Sequence, residues 1–359
     1  MKSESHLSQI QLMLLTAMGA GGTVYLTLPR VLASLAGEAA WVAALVGWLA
    51  ALLAIGAPAL LAMRFPGQVP GEYLPILLGR WGGKAVLAVF SLFFLLVNVS
   101  AIRIFVDVFA AAVLTETPLA VLTTIFLGVL AYALYLGIEA LARLTQLFFL
   151  VIYGLFLFVL FTSLYRIDGY LLLPVWQNGL GGIARGAWHV LAYASEAVFL
   201  LWLVPLVRQP QRAWKDAAAG ILLSGIPVVG FVTVTIGVFS AASAETIAFP
   251  TLSLSRLIEL GRFFQRVEVL SVIVWFVASF LKLGILHYVS LVSLQNLFGM
   301  TTYRPLIPVV LAITLAGALA VPDMFASFLL NAFYFSRLAP WVGFALPFLL
   351  WLLALARHL

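Results

Sequence analysis

Four ionisable residues stand inside long apolar runs, where a charge is costly to hold: Arg103, Asp107, Glu196 and Lys282. Such groups usually face a bundle interior or a water-filled path, and there they pair with one another or handle a solute. Arg103 and Asp107 are four apart, so one helical face brings guanidinium and carboxylate together beside Ser100; the spacing reads as a structural pair. Glu196 has no charged neighbour within a helical turn. Its carboxyl must be protonated or paired with another segment, and a binding role and a buried structural pair both fit. Lys282 lies at the midpoint of its own run and raises the same choice.

The backbone supplies a second kind of chemistry. The stretch TAMGAGGTVYLTLP sets Gly19, Ala20, Gly21 and Gly22 in the middle of the first apolar run, with Pro29 further along. Clustered glycines weaken a helix, and an unwound stretch inside a membrane is tolerated where it lines a cavity, offering N–H and C=O groups to a solute. The same small residues also suit close helix packing, so both readings stay open. Tyr25 and Tyr193 fall beside the expected breaks, where a hydroxyl or ring could meet a ligand or simply pack. His189, seven residues before Glu196, reads as a core histidine.

These residues need elements to hold them, and composition says which. Of 359 residues 64% are hydrophobic and 9% charged, far from the roughly 25% charge of soluble domains. The apolar runs are long and lack period-two alternation, which selects membrane-spanning helices over a barrel. The expected spans are 9–35, 39–63, 84–113, 117–137, 144–165, 183–207, 216–241, 267–296, 304–321 and 332–356, forming one transmembrane domain over 1–359. More Lys and Arg fall in connections on the N-terminal side, with Arg208, Arg212 and Lys215 crowding one short loop, so both termini are expected in the cytoplasm. An outer amphipathic helix is expected at about 250–266, with Leu254, Leu257, Ile258, Gly261 and Phe264 on one face.

Several classes of function are disfavoured. The chain has no cysteine, and His6, His189, His287 and His358 are too dispersed for a metal cluster. No HExxH or comparable constellation is present, so neither catalysis nor a cofactor is expected. The net charge of +6 is scattered through short loops as a topology signal, not gathered into a nucleic-acid patch.

With these features in order, the chain resembles a known family. The first span ends in Pro29 and Arg30, the sixth reads SEAVFLLWLVP before a basic loop, and FPTLSLSRLIELGRFFQRVEVLSVIVWFVASFLKLGILHY is the most specific block. Together they look like the spore germinant receptor B subunits, or spore germination permeases, of the amino acid–polyamine–organocation transporter superfamily. The resemblance implies an all-α fold of about ten helices in a five-plus-five inverted repeat, at about 9–165 and 183–356, with broken first and sixth helices. It implies a small amino acid bound at Gly19, Ala20, Gly21, Gly22, Tyr25, Tyr193, Ser195 and Glu196. Lys282 then sits where transporters of this fold often hold sodium, as an ion-site or coupling residue alongside Glu196, with Glu196 or the unwound first-span carbonyls compensating its charge. The implied partners are a receptor A subunit and a C lipoprotein, in the spore inner membrane or the bacterial cell membrane. A proton-coupled, sodium-independent amino acid transporter is the alternative. Ala194 and Ser195 replace the glycine usual beside Glu196, which bears on how deeply the sixth helix is broken.

Overall fold

The computed structural model describes residues 7–258 and 267–358. Eight helical stretches among the described residues are long and apolar enough to cross a membrane. A broken first span and a shorter ninth complete ten.

The first span is α1 (Gln9–Gly21), a 3-10 turn at Val24–Leu26, and α2 (Leu28–Ala36). Ser8 caps α1 through a reciprocal box with Gln11, and Pro29 occupies the first turn of α2, where a missing N–H costs nothing. The second span is α3 (Ala40–Ala54) with α4 (Gly56–Arg64). The third, α5 (Pro70–Ala112), begins well before the expected 84: Gly79, at φ 76°, kinks an amphipathic lead-in whose Tyr73, Leu74 and Leu77 are buried. Then follow α6 (Leu119–Leu136) and α7 (Ile138–Ser163), separated by Gly137 at φ 87°. That turn starts the fifth span six residues before the expected 144.

The second half repeats the pattern. The sixth span is α8 (Gly179–Ala194), a 3-10 segment at Ser195–Phe199, and α9 (Leu200–Leu203). The seventh is α10 (Ala213–Phe239), followed by short α11 (Ala241–Ala244) and α12 (Pro250–Arg256). The eighth is α13 (Val267–Phe298) and the ninth α14 (Ile307–Ala320). The tenth joins α15 (Met324–Arg337) to α16 (Leu346–Ala356) through a π-helical turn at Trp341–Ala345.

Packing follows the inverted repeat. Spans one and seven pack through α1 and α10, and their symmetry mates, spans six and two, through α8 and α3. Both contacts are made at glycine: a Cβ on Gly220 would strike Met13 and Thr16 of α1, and one on Gly47 would strike Ala187 and Val190 of α8. Spans three and eight pair through α5 and α13, and four and nine through α6 and α14, as a five-plus-five arrangement requires.

α12 is the described part of the surface helix expected at about 250–266, with Leu254 buried and Arg256 exposed as on the expected faces. It is drawn inward, with Pro250, Thr251, Leu252, Leu254 and Ser255 buried. The Thr251 hydroxyl donates to the Tyr25 carbonyl at 2.6 Å, satisfying an acceptor in the interrupted part of the first span. Gly261 and Phe264, expected on its apolar face, lie outside the described residues.

Candidate functional site

The two interruptions meet at the centre of the bundle. In the first span the helix ends at Gly21 with Gly22 as its cap, and Thr23 (φ −116°) and Thr27 (φ −111°) flank the 3-10 turn. The break therefore falls after the glycines rather than on them. Gly19 and Gly21 lie within regular α1, where an added Cβ would strike Phe199 and Ser224 respectively. Gly22 stands against the Ala278 carbonyl and the Lys282 side chain. In the sixth span Ala194, Ser195 and Leu200 keep right-handed helical angles, so the interruption is a tightening to 3-10 bonding and not an open gap. This answers the question raised by Ala194 and Ser195: with no glycine beside Glu196, the chain changes its hydrogen-bond register and stays wound.

Glu196, on that 3-10 segment, meets Lys282 of α13 with Oε2 and Nζ 2.6 Å apart, each side chain 1% exposed. Removing two charges from water is unfavourable unless they are paired, and here they stand within ion-pair distance of each other. The carboxylate and the ammonium both line a small cavity beside the first-span break. Its wall includes Thr23, Val24 and Thr27 from the first span, Ser100 and Phe105 from α5, Tyr193 from α8, Trp275 from α13, and Asn331, Tyr334 and Phe335 from α15.

The polar wall is partly knitted together. Tyr193 donates to Asn331 Oδ1 at 2.8 Å, and Asn331 Nδ2 donates to Ser100 at 3.1 Å. Tyr193 also packs on Phe335, ring centres 4.0 Å apart, and on His189 at 5.2 Å. The Tyr334 hydroxyl is buried and has no hydrogen-bond partner among the described residues.

Of the residues expected to hold a ligand, the structure brings Tyr193, Glu196 and Lys282 to this cavity. Gly19, Ala20, Gly21 and Gly22 lie beneath it in α1 or at its end, and Ser195 donates to the Ala192 carbonyl at 2.5 Å. Tyr25 faces the other way, into an apolar cavity with Phe156 and Phe231, ring centres 4.2 and 5.5 Å distant. Thr27, Asn331 and Tyr334 are not among the expected site residues, and Ser100 was expected only beside the Arg103–Asp107 pair. An Asn inside an apolar span was the one signal that pointed there.

Arg103 and Asp107 form a separate cluster. Arg103 Nε donates to both Asp107 oxygens, at 2.9 and 3.0 Å, and its Nη1 donates to the carbonyls of Ala318, within α14, and Val321, just after it. Ser327 of α15 donates to Asp107 Oδ2 at 2.8 Å. The pair thus closes off a helix end and ties spans three, nine and ten.

Residues 6–322 match the family described as Spore germination protein. The chain belongs to that family. Among curated spore germination proteins of Bacillus subtilis (strain 168) it is 26% identical to protein A2 over 348 residues, covering 96% of this chain and 93% of that one. Protein YndE is 27% identical over 301 residues, with 81% and 80% covered, and protein KB 25% identical over 269, with 74% and 72% covered. Solved transporter structures share the fold of this spore germination protein. MhsT in complex with L-phenylalanine superposes with a TM-score of 0.71 at 15% identity, covering 99% of this chain and 90% of that one. Mhp1, a nucleobase-cation-symport-1 family transporter in a closed conformation with bromovinylhydantoin bound, gives 0.65 at 14% identity, covering 92% and 76%.

Proposed function

We propose that this protein is the small-molecule-sensing membrane subunit of a spore germination receptor, that its ligand is a small amino acid, and that it signals by changing conformation around the Glu196–Lys282 cavity. Its family membership and transporter-like fold support a membrane protein of receptor or transporter type, without covalent chemistry. The single observation that carries the reading is the buried ion pair between the sixth and eighth spans, facing a polar-walled cavity at the first-span break. Tyr193, Glu196 and Lys282 contact the ligand together with Thr27, Asn331 and Tyr334. The ammonium of Lys282 stands beside the first-span break and does there the work of a bound sodium ion. An A subunit and a C lipoprotein are the proposed partners, in the spore inner membrane, with both termini in the cytoplasm.

The fold shared with solved transporters supports a carrier as a second reading, which we take as a proton-coupled, sodium-independent amino acid transporter using the same cavity. Purified protein in liposomes separates the two. Saturable binding of a labelled amino acid without counter-flow supports the sensor, counter-flow supports the carrier, and absence of binding by any small amino acid overturns both.

A further inference from the structure

The central cavity carries two full charges and yet, between them, no net charge. The other polar groups on its wall, from Thr27, Ser100, Tyr193, Asn331 and Tyr334, are uncharged. A ligand bearing one charge would lose its hydration on entry and find a near neighbour of each sign, one attractive and one repulsive. A ligand bearing adjacent opposite charges meets a different field. Its ammonium can lie at the Glu196 carboxylate while its carboxylate lies at the Lys282 ammonium, so that the two dipoles run antiparallel. Neither partner is then left as a lone buried charge, the condition under which buried ion pairs become destabilising.

We infer that the Glu196–Lys282 pair is the specificity element of the site and that it selects zwitterions with adjacent charges, rejecting amines and carboxylates of similar size. This rests on the reading of the cavity as a small-molecule site and assigns both recognition charges to side chains. The helix-end N–H groups and carbonyls of the two interrupted spans are then secondary. The structure gives this assignment a geometric basis: the Gly22 N–H is already bonded to the Met18 carbonyl at 2.8 Å. The N–H of Ser195 is likewise held within its own span.

The test needs no variant in its first arm. Glycine, L-alanine, L-valine and L-phenylalanine are titrated against the purified full-length protein, and the best binder is then compared with its amide, its N-acetyl derivative and its N-acetyl amide. The zwitterion should bind, and each blocked form should bind more weakly by about tenfold or more, the loss of one charge-assisted hydrogen bond. In the second arm, Glu196→Gln should improve binding of the N-acetyl acid relative to the zwitterion, Lys282→Met should improve the amide, and E196Q/K282M should lose the discrimination. If no panel member binds the native protein, the proposed function and this inference fall together. If the zwitterion binds and its blocked forms bind within about threefold of it, the inference alone is overturned. Should the single variants not fold, the charge-keeping variants Glu196→Asp and Lys282→Arg are titrated instead, and unchanged affinity for the zwitterion in both overturns the assignment.

Discussion

Tyr193 donates its phenolic hydrogen to Asn331, and through the amide of Asn331 the sixth span is joined to Ser100 of the third. Three spans therefore share one buried polar chain at the wall of the central cavity. A partly satisfied chain of this kind is worse than an apolar one. Tyr193→Phe should leave Asn331 Oδ1 without its donor and lower stability by about 1–3 kcal/mol, read as a fall in the melting temperature of the detergent-purified protein. Asn331→Leu should cost more, because it strands Ser100 and the Tyr193 hydroxyl at once. An unchanged melting temperature for both would show that the chain contributes nothing to packing.

Arg103 and Asp107 are predicted to serve structure alone. Arg103→Met leaves a buried carboxylate with Ser327 as its remaining donor among these contacts and frees the Ala318 and Val321 carbonyls, and should cost about 3–5 kcal/mol. The double variant R103M/D107L should be more stable than R103M. Ligand affinity of whatever fraction folds should stay within about twofold of the native value. A large change in affinity without a change in stability would move the pair into the functional site.

Gly21 is predicted to act through packing. Its missing Cβ lets α1 lie against Ser224 of α10, so Gly21→Leu should overpack that contact and destabilise by about 1–3 kcal/mol. Thr27→Val, on the cavity wall, should instead weaken ligand binding with little effect on melting. The opposite assignment of the two effects would return the ligand to the glycines.

The absence of cysteine makes topology directly measurable. His358 and Ser243 are both exposed and stand at opposite ends of the bundle in a ten-span chain. A cysteine at Ser243 should react with an impermeant thiol reagent added to intact cells, and one at His358 should react only after permeabilisation. Reversed labelling would invert the proposed orientation.

How much of this was legible in the sequence follows from the range of each signal. Ten apolar runs, Glu196 and Lys282 in the middle of two of them, and Arg103 four residues before Asp107 are local facts, and they gave the fold class and both charged clusters. The lead-in from Pro70 was hidden because an amphipathic segment broken by Gly79 at a positive φ has too little apolar length to look like a span. Thr27, not Tyr25, stands on the wall of the central cavity for a similar reason. The glycines announce a break, but its position, at Thr23–Thr27, depends on how tightly Gly19 and Gly21 must pack on Phe199 and Ser224. Which partner Lys282 takes, Glu196 or the first-span carbonyls, is not decided by local sequence, since 196 and 282 are 86 positions apart and a fold is needed to bring the two charges to 2.6 Å.

The central claim is that the Glu196–Lys282 cavity holds the ligand and that Lys282 takes the place of a bound cation. It is tested most directly by titrating the best-binding small amino acid against native protein and Lys282→Met, each in sodium chloride and in choline chloride. The account predicts saturable binding by the native protein with the same affinity in both salts, and loss of that binding in Lys282→Met while the variant still elutes as a folded, monodisperse species. Native binding that requires sodium, or full affinity in Lys282→Met, would contradict it.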